Sequence, residues 1–210
     1  MAADVEQTER LLKALRRRDR ILSGVIRRVG PYRLKPRGRG FQVLVQAIIS
    51  QQISTSAAET IHRRLQELMP GRRIVPEALA ALSDEQLRAV GVSPQKLSYV
   101  RDLTRCTMER VIDFRRIAAS DDETAIAELT QVRGIGRWTA QMYLIFSLGR
   151  PDVFAVDDLG LRNAMQKLYG IAADAKPAVY ENQAKIWSPA RSLASWYLWR
   201  SLELPDEPSA

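Results

Sequence analysis

The chain has 210 residues, 46% of them hydrophobic, enough for one large core or for two small lobes sharing a groove. Its formal net charge of +8 favours a polyanionic partner, nucleic acid or an acidic membrane surface, although basic solvated faces also occur without one. One cysteine, Cys106, and one histidine, His62, exclude an internal disulfide, a four-cysteine zinc or iron–sulfur site and a two-histidine zinc site.

At the N-terminus Asp4, Glu6 and Glu9 precede any apolar run, which argues against a secretory signal. The longest apolar stretch, 43–49, is too short to span a bilayer, so a cytosolic protein is expected. Leu11, Leu12 and Leu15 open a first amphipathic helix, and Ile21, Val25, Ile26 and Val29 a second before Gly30-Pro31. Residues 32–40, basic and broken by Pro36, read as a loop. The stretch 41–49 is nearly all apolar and longer than a typical strand, which predicts a buried helix. Residues 55–68 continue with apolar side chains inward and Arg63-Arg64 outward.

Ser83-Asp-Glu-Gln86 is a capping box opening a helix that Gly91 ends. Ser93-Pro94 starts a long helix through Leu97, Val100, Leu103 and Met108. Asp121-Asp-Glu123 suits another start, with negative charge at the positive end of the dipole. Helices near 159–168, 178–186 and 189–202 follow. The nearest approach to a strand is 152–156, and the tail 205–210 is expected to be disordered.

The stretch Gln131-Val-Arg-Gly-Ile-Gly-Arg-Trp-Thr-Ala140 lies between two helical patterns. So short a hairpin needs glycine, because the backbone must take positive φ and approach a partner closely. Gly134 and Gly136 also leave amides at the start of the second helix facing outward, a site for a phosphate oxygen. A carboxylate within reach, Asp157-Asp158, would let such a module act on the nucleotide it holds.

The segment Leu129-Thr-Gln-Val-Arg-Gly-Ile-Gly-Arg-Trp-Thr-Ala140, with Asp157-Asp158-Leu-Gly160, closely resembles the helix-hairpin-helix DNA glycosylases. Among them it is similar to the AlkA-type 3-methyladenine DNA glycosylases II. Two further blocks fall in the family's order: Phe41-Gln-Val-Leu-Val-Gln-Ala-Ile-Ile-Ser-Gln-Gln-Ile-Ser54 and Trp187-Ser-Pro-Ala-Arg-Ser-Leu-Ala-Ser-Trp-Tyr-Leu-Trp199. The resemblance implies an all-α fold of two helical lobes flanking a groove. Residues 1–210 would form one bilobal unit, with the hairpin and catalytic segment in 129–161 and the lobe boundary somewhere within 41–120. The N-terminal β-sheet domain of some AlkA-type enzymes is expected to be absent, since the residues before Phe41 read helical. The implied activity is excision of alkylated purines such as 3-methyladenine from double-stranded DNA, leaving an abasic site. Other lesions, deaminated or oxidised bases, and a binding-only role are the alternatives.

Within that resemblance Asp158 is the catalytic carboxylate, stabilising positive charge on the sugar as the base departs and orienting water. An aspartate there would also cap the helix that starts at Leu159. Asp157 is left as a cap or a supporting group. Trp138 stands where relatives that also cut the backbone carry a Schiff-base lysine, which implies a monofunctional enzyme. Trp138 and Trp199 are assigned to the walls of the base pocket, where an aromatic face attracts an electron-poor purine, although indole also packs in cores. Met142 replaces a third aromatic, with Tyr143 beside it; Trp187 and Trp196 read as core.

Gln52 matches the residue that fills the hole left by a flipped base, while Gln51 and Gln52 could equally cap helices. Arg137, with Arg133 and Arg162, flanks the hairpin as a phosphate contact or a solvated face. The carbonyls of Thr130, Val132 and Ile135 match positions that bind a structural Na+ or K+ in relatives. No redox or organic cofactor is implied, and a monomer is expected.

Overall fold

The computed structural model describes residues 2–34, 38 and 40–205, and no strand occurs among them. In chain order the helices are α1 (Ala2–Arg18), α2 (Arg20–Val29), α3 (Phe41–Ser50), α4 (Thr55–Glu67), α5 (Pro76–Ala81), α6 (Asp84–Ala89) and α7 (Pro94–Met108). Then come α8 (Phe114–Ala119), α9 (Asp122–Leu129) and α10 (Arg137–Tyr143), which runs on into a π-helical turn, Leu144–Leu148. The chain ends with α11 (Leu159–Tyr169), α12 (Pro177–Ala184) and α13 (Arg191–Ser201). No helix among the described residues is long and apolar enough to cross a membrane.

Local chemistry explains the boundaries. The Ser83 hydroxyl accepts from Gln86 N while the Gln86 side chain accepts from Ser83 N, the reciprocal box that starts α6. Ser93 caps α7 ahead of Pro94, and Asp121 caps α9 through Thr124 N. Helix α3 buries Phe41, Leu44, Val45, Ile48 and Ile49, as its composition predicts. In α2 the buried stripe is Leu22, Val25 and Ile26, and Ile21 lies one position off it, exposed. Met108, at the last turn of α7, is exposed as well. The 152–156 stretch buries Val153, Phe154 and Ala155 without pairing as a strand: Val153 N–H donates to the Ser192 hydroxyl. Residues 206–210 of the expected disordered tail 205–210, and residues 35–37 and 39 of the expected loop, lie outside the described residues.

The chain divides into two compact units, one from 1–35 with 149–210 and one from 36–148. The division falls on either side of the 41–120 interval in which the sequence placed it.

In the first unit α2 and α11 both pack against α13, and α1 packs against α2. Its core holds Leu15, Leu22, Ile26, Leu161, Tyr180, Trp187 and Tyr197. Asp19 lies inside that core. One carboxylate oxygen accepts from Leu22 N, and the other from Tyr169 Oη and Trp187 Nε1, both at 2.7 Å. A buried carboxylate is tolerable only with partners of this kind. Trp187 is fully buried, whereas Trp196 is half-buried in an edge-to-face cluster with Tyr32 and Tyr197.

In the second unit α3 packs against α4, α7 and α10, α5 against α7, and α9 against α8 and α10. Glu128 on α9 accepts from Asp113 N and from Arg116 Nε and a terminal guanidinium nitrogen. That fixes the start of α8 to the helix that leads into the hairpin.

Candidate functional site

In the 36–148 unit, α9 and α10 are the arms of the hairpin and 130–136 its turn. Val132 and Ile135 point into the core, and Ile135 N–H donates to the Val132 carbonyl across the turn. Gly134 takes φ 82°, and a Cβ built there would meet the Tyr99 ring at 2.2 Å. The sequence expectation of positive φ and close approach therefore holds at Gly134. Gly136 departs from it: φ is −88°, and a Cβ would meet nothing within 4 Å. The fold places no demand for glycine there, and the open space lies at the cap of α10, which takes no hydrogen bond from the cap residue's side chain.

The turn is anchored from α7. Arg133 N–H donates to Asp102 at 2.9 Å, and Arg105 holds the other Asp102 oxygen at 2.8 Å. Burial opposes ionisation of Asp102, but these hydrogen bonds outweigh it and hold its carboxyl below the usual aspartate range. The sign follows from linkage. A carboxyl whose folded pKa is lowered stabilises the protein above its unfolded value, and the contribution disappears as pH falls through the folded value. Asp102→Ala is thus expected to lower stability by about 1–2 kcal/mol at neutral pH. The gap from the parent protein should start to narrow as pH falls past the unfolded value near about 4, and close only below the lower folded value, where both states bind a proton. Thermal melts from pH 7 to pH 3 check this, and a gap that stays constant would show that the charge contributes nothing.

Arg137 forms a two-pronged ion pair with Glu123 on α9, at 2.5 and 2.8 Å. Both groups are exposed, and such a pair contributes about 0–1 kcal/mol, so an incoming phosphate can compete for the arginine. Trp138, 44% exposed, follows at the second position of α10, with Met142 half-buried one turn later. Tyr143 cannot stand in for the aromatic expected at the Met142 position, because it is buried and its hydroxyl accepts from Gly40 N at 2.8 Å.

Thr130, Val132 and Ile135 offer only neutral carbonyls. The Thr130 hydroxyl turns back to donate to the Ile126 and Ala127 carbonyls. A neutral oxygen set fits a hard monovalent cation better than a transition metal.

The 51–53 turn leaves α3 beside this hairpin. Gln51 is the C-cap of α3, and its side-chain amide donates to the Gly134 carbonyl at 2.8 Å. Gln52 is exposed at φ 56°, a left-handed conformation that costs about 1–2 kcal/mol in a residue with a side chain. Ser54, not either glutamine, caps α4. The two glutamines therefore separate into a brace and a projecting side chain.

In the other unit, Asp158 caps α11 and is 9% exposed. One oxygen, Oδ1, accepts both Leu161 N at 2.8 Å and Trp199 Nε1 at 2.9 Å. Trp199 is thus a hydrogen-bond partner of the carboxylate, a role the sequence reading did not give it. Gly160 makes the approach feasible: a Cβ there would lie 3.2 Å from Asp158 Oδ1 and 3.2 Å from Trp199 Cδ1.

The pair is braced on both sides. Asp157 binds Arg162, whose Nε also donates to the Val156 carbonyl, so Arg162 secures the loop before α11. Asp152 accepts from Arg191 N, Nε and a terminal nitrogen and from Ser188 Oγ, which pins the first turn of α13, the helix that carries Trp199. Burial opposes ionisation of Asp152 as well, and the Arg191 and Ser188 hydrogen bonds prevail, holding its carboxyl below the usual range. Residue type gave no signal for Asp152, Asp102 or Tyr99, each of which works through a partner distant in sequence, nor for the brace that Gln51 makes to Gly134.

Residues 45–189 match the family model of the HhH-GPD superfamily base excision DNA repair proteins. DNA-3-methyladenine glycosylase 1 of Schizosaccharomyces pombe is 32% identical over 98% of this chain and 96% of its own length. The crystal structure of a DNA-3-methyladenine glycosidase from Bacillus halodurans superposes with a TM-score of 0.84 at 36% identity, covering 91% of this chain and 88% of that one. The 3-methyladenine DNA glycosylase of Schizosaccharomyces pombe, solved in complex with abasic DNA, gives 0.80 at 31% identity, over 91% and 95% of the two chains. The family model spans the hairpin and Asp157-Asp158 and reaches into the blocks on either side, and the chain belongs to the HhH-GPD superfamily of base excision DNA repair proteins.

Proposed function

We propose that this protein is a monofunctional DNA glycosylase that flips alkylated purines such as 3-methyladenine out of duplex DNA and hydrolyses the N-glycosidic bond. The observation that carries the reading is Asp158, held by α11 and Trp199 in a chain of this family.

A purine methylated at N3 or N7 carries positive charge, so it departs as a neutral base when the bond from C1′ to N9 breaks. The bonding electrons leave with the base, and positive charge passes to the sugar. The Asp158 carboxylate stabilises that charge and orients the water whose oxygen bonds to C1′ and whose proton is released. The abasic sugar is the product. Trp138 has no amine with which to form a Schiff base, so the strand stays intact. Trp138 and Trp199 each offer an indole face to an electron-poor ring, worth about 0.5–2 kcal/mol.

Gln52 fills the hole left by the flipped base, against an unstacking cost of about a few kcal/mol. Gly134, Gly136 and Arg137 grip phosphate without reading sequence, and the carbonyls of Thr130, Val132 and Ile135 hold a structural Na+ or K+ beside it. The protein works as an intracellular, DNA-associated monomer on double-stranded DNA and needs no other cofactor. Met142, in place of an aromatic, supports a second reading in which the preferred lesion is a deaminated or oxidised base.

The test follows release of 3-methyladenine and 7-methylguanine from methylated duplex DNA, with strand integrity followed alongside. Free base is expected with strands intact until alkali treatment. Strand breaks without alkali would overturn monofunctional chemistry. Release of hypoxanthine or an oxidised base alone would favour the second reading, and DNA binding without any release would leave a binding protein.

A further inference from the structure

The turn between α3 and α4 contains two glutamines in opposite situations. Gln52 projects from a left-handed backbone, and its side chain makes no hydrogen bond among the described residues. Gln51 is half-buried and reaches across 83 residues of sequence to donate to the Gly134 carbonyl. Gly134 is fixed from α7: the Tyr99 ring lies against it, and the preceding residue's amide is held by Asp102. The backbone amide of Gln51 is spent on the Ile48 carbonyl, closing α3. One residue therefore joins the end of α3, the turn and the hairpin.

We infer that Gln51 is a positioning residue: its amide fixes the turn that carries Gln52 to the hairpin, so that wedge and phosphate grip move as one frame. This rests on the proposed roles of Gln52 and the hairpin. The physical reason is leverage. A wedge holds a flipped base out only if its own backbone does not yield, and a turn of exposed residues yields unless something ties it down. Gln51 supplies that tie without touching DNA. The left-handed conformation of Gln52, which nothing in its own side chain compensates, persists because its neighbour is fixed in this way.

The experiment measures single-turnover release of 7-methylguanine from two duplexes, one with cytosine opposite the lesion and one with no base opposite it. Three variants are compared with the parent: Gln52→Ala, Gln51→Met, which keeps the length and loses the donor, and the double variant. Gln52→Ala is expected to slow release about tenfold from the paired duplex and much less from the duplex with no opposing base, where extrusion is easier. Gln51→Met should show the same asymmetry, with a wild-type Tm and unchanged affinity for undamaged DNA. The double variant should be no slower than Gln52→Ala, because Gln51 acts through Gln52.

Gln51→Lys, which keeps a donor at similar reach, should restore the parent's ratio between the two duplexes. If Gln51→Met does not fold, Gln51→Glu carries the same comparison, since it keeps the shape without amide hydrogens. Equal loss on both duplexes, or a Gln51 defect that adds in full to that of Gln52→Ala, overturns the inference. If Gln52→Ala itself shows no asymmetry, the wedge reading fails instead.

Discussion

Asp158→Asn is expected to leave the fold and DNA affinity in place and to slow base release by about 10²–10⁴-fold, the range for losing a positioned acid or base. The geometry makes this substitution unusually clean. Leu161 N and Trp199 Nε1 both donate to Oδ1, so the single carbonyl oxygen of asparagine can accept the two as the aspartate does. Asparagine is also as good a helix cap as aspartate, so α11 should start unchanged. What disappears is the negative charge, and with it the stabilisation of positive charge at C1′. The comparison needs a melt, an affinity for undamaged duplex and a single-turnover rate. Parent-like turnover by a folded Asp158→Asn protein would remove Asp158 from the chemistry and leave it a cap.

Much of this fold was legible because it is written in local chemistry. Ser83, Ser93 and Asp121 announce their helices by cap residue alone, and the apolar run of α3 could only be buried. Asp158 was legible twice, as a cap and as the carboxylate in the family's block. The parts that escaped are set by contacts far apart in sequence. Asp19 looks like an ordinary cap of α2, and only the folded chain brings Tyr169 and Trp187 to its other oxygen.

Ile21 fits a helical stripe by type, yet the stripe that is buried begins one residue later. Trp199 is read as a wall for the base from its place in the family's pattern, while its N–H, which secures Asp158, has no signature in sequence. Arg137 is a basic residue beside the proposed phosphate site, and the carboxylate it meets, Glu123, lies on the opposite arm of the hairpin. The two hairpin glycines look equivalent on paper and differ in space.

That difference sets the second large effect. Gly134→Ala is expected to destabilise the protein by about 2–5 kcal/mol. Left-handed backbone costs a residue with a β-carbon about 1–2 kcal/mol, and forcing an atom against a packed ring adds about 1–3 kcal/mol. The collision is with Tyr99 Cδ2 at 2.2 Å and Cγ at 2.4 Å, well inside contact distance, and the Tyr99 hydroxyl is tied to Gln95.

A double-mutant cycle separates the two costs. In a Tyr99→Ala background the collision is gone, so Gly134→Ala should cost only its backbone share. If the alanine costs the same in both backgrounds, the ring is not what crowds Gly134. DNA binding should weaken together with stability, because Gly134 shapes the turn that presents the hairpin amides. Gly136→Ala should behave the other way. Its φ suits any residue and its β-carbon meets no protein atom, so stability should move by less than about 1 kcal/mol. Whatever that methyl obstructs comes from outside the protein. A loss of affinity for duplex DNA at unchanged Tm would mark Gly136 as the point where the DNA backbone closes on the hairpin, and unchanged affinity would move the phosphate elsewhere.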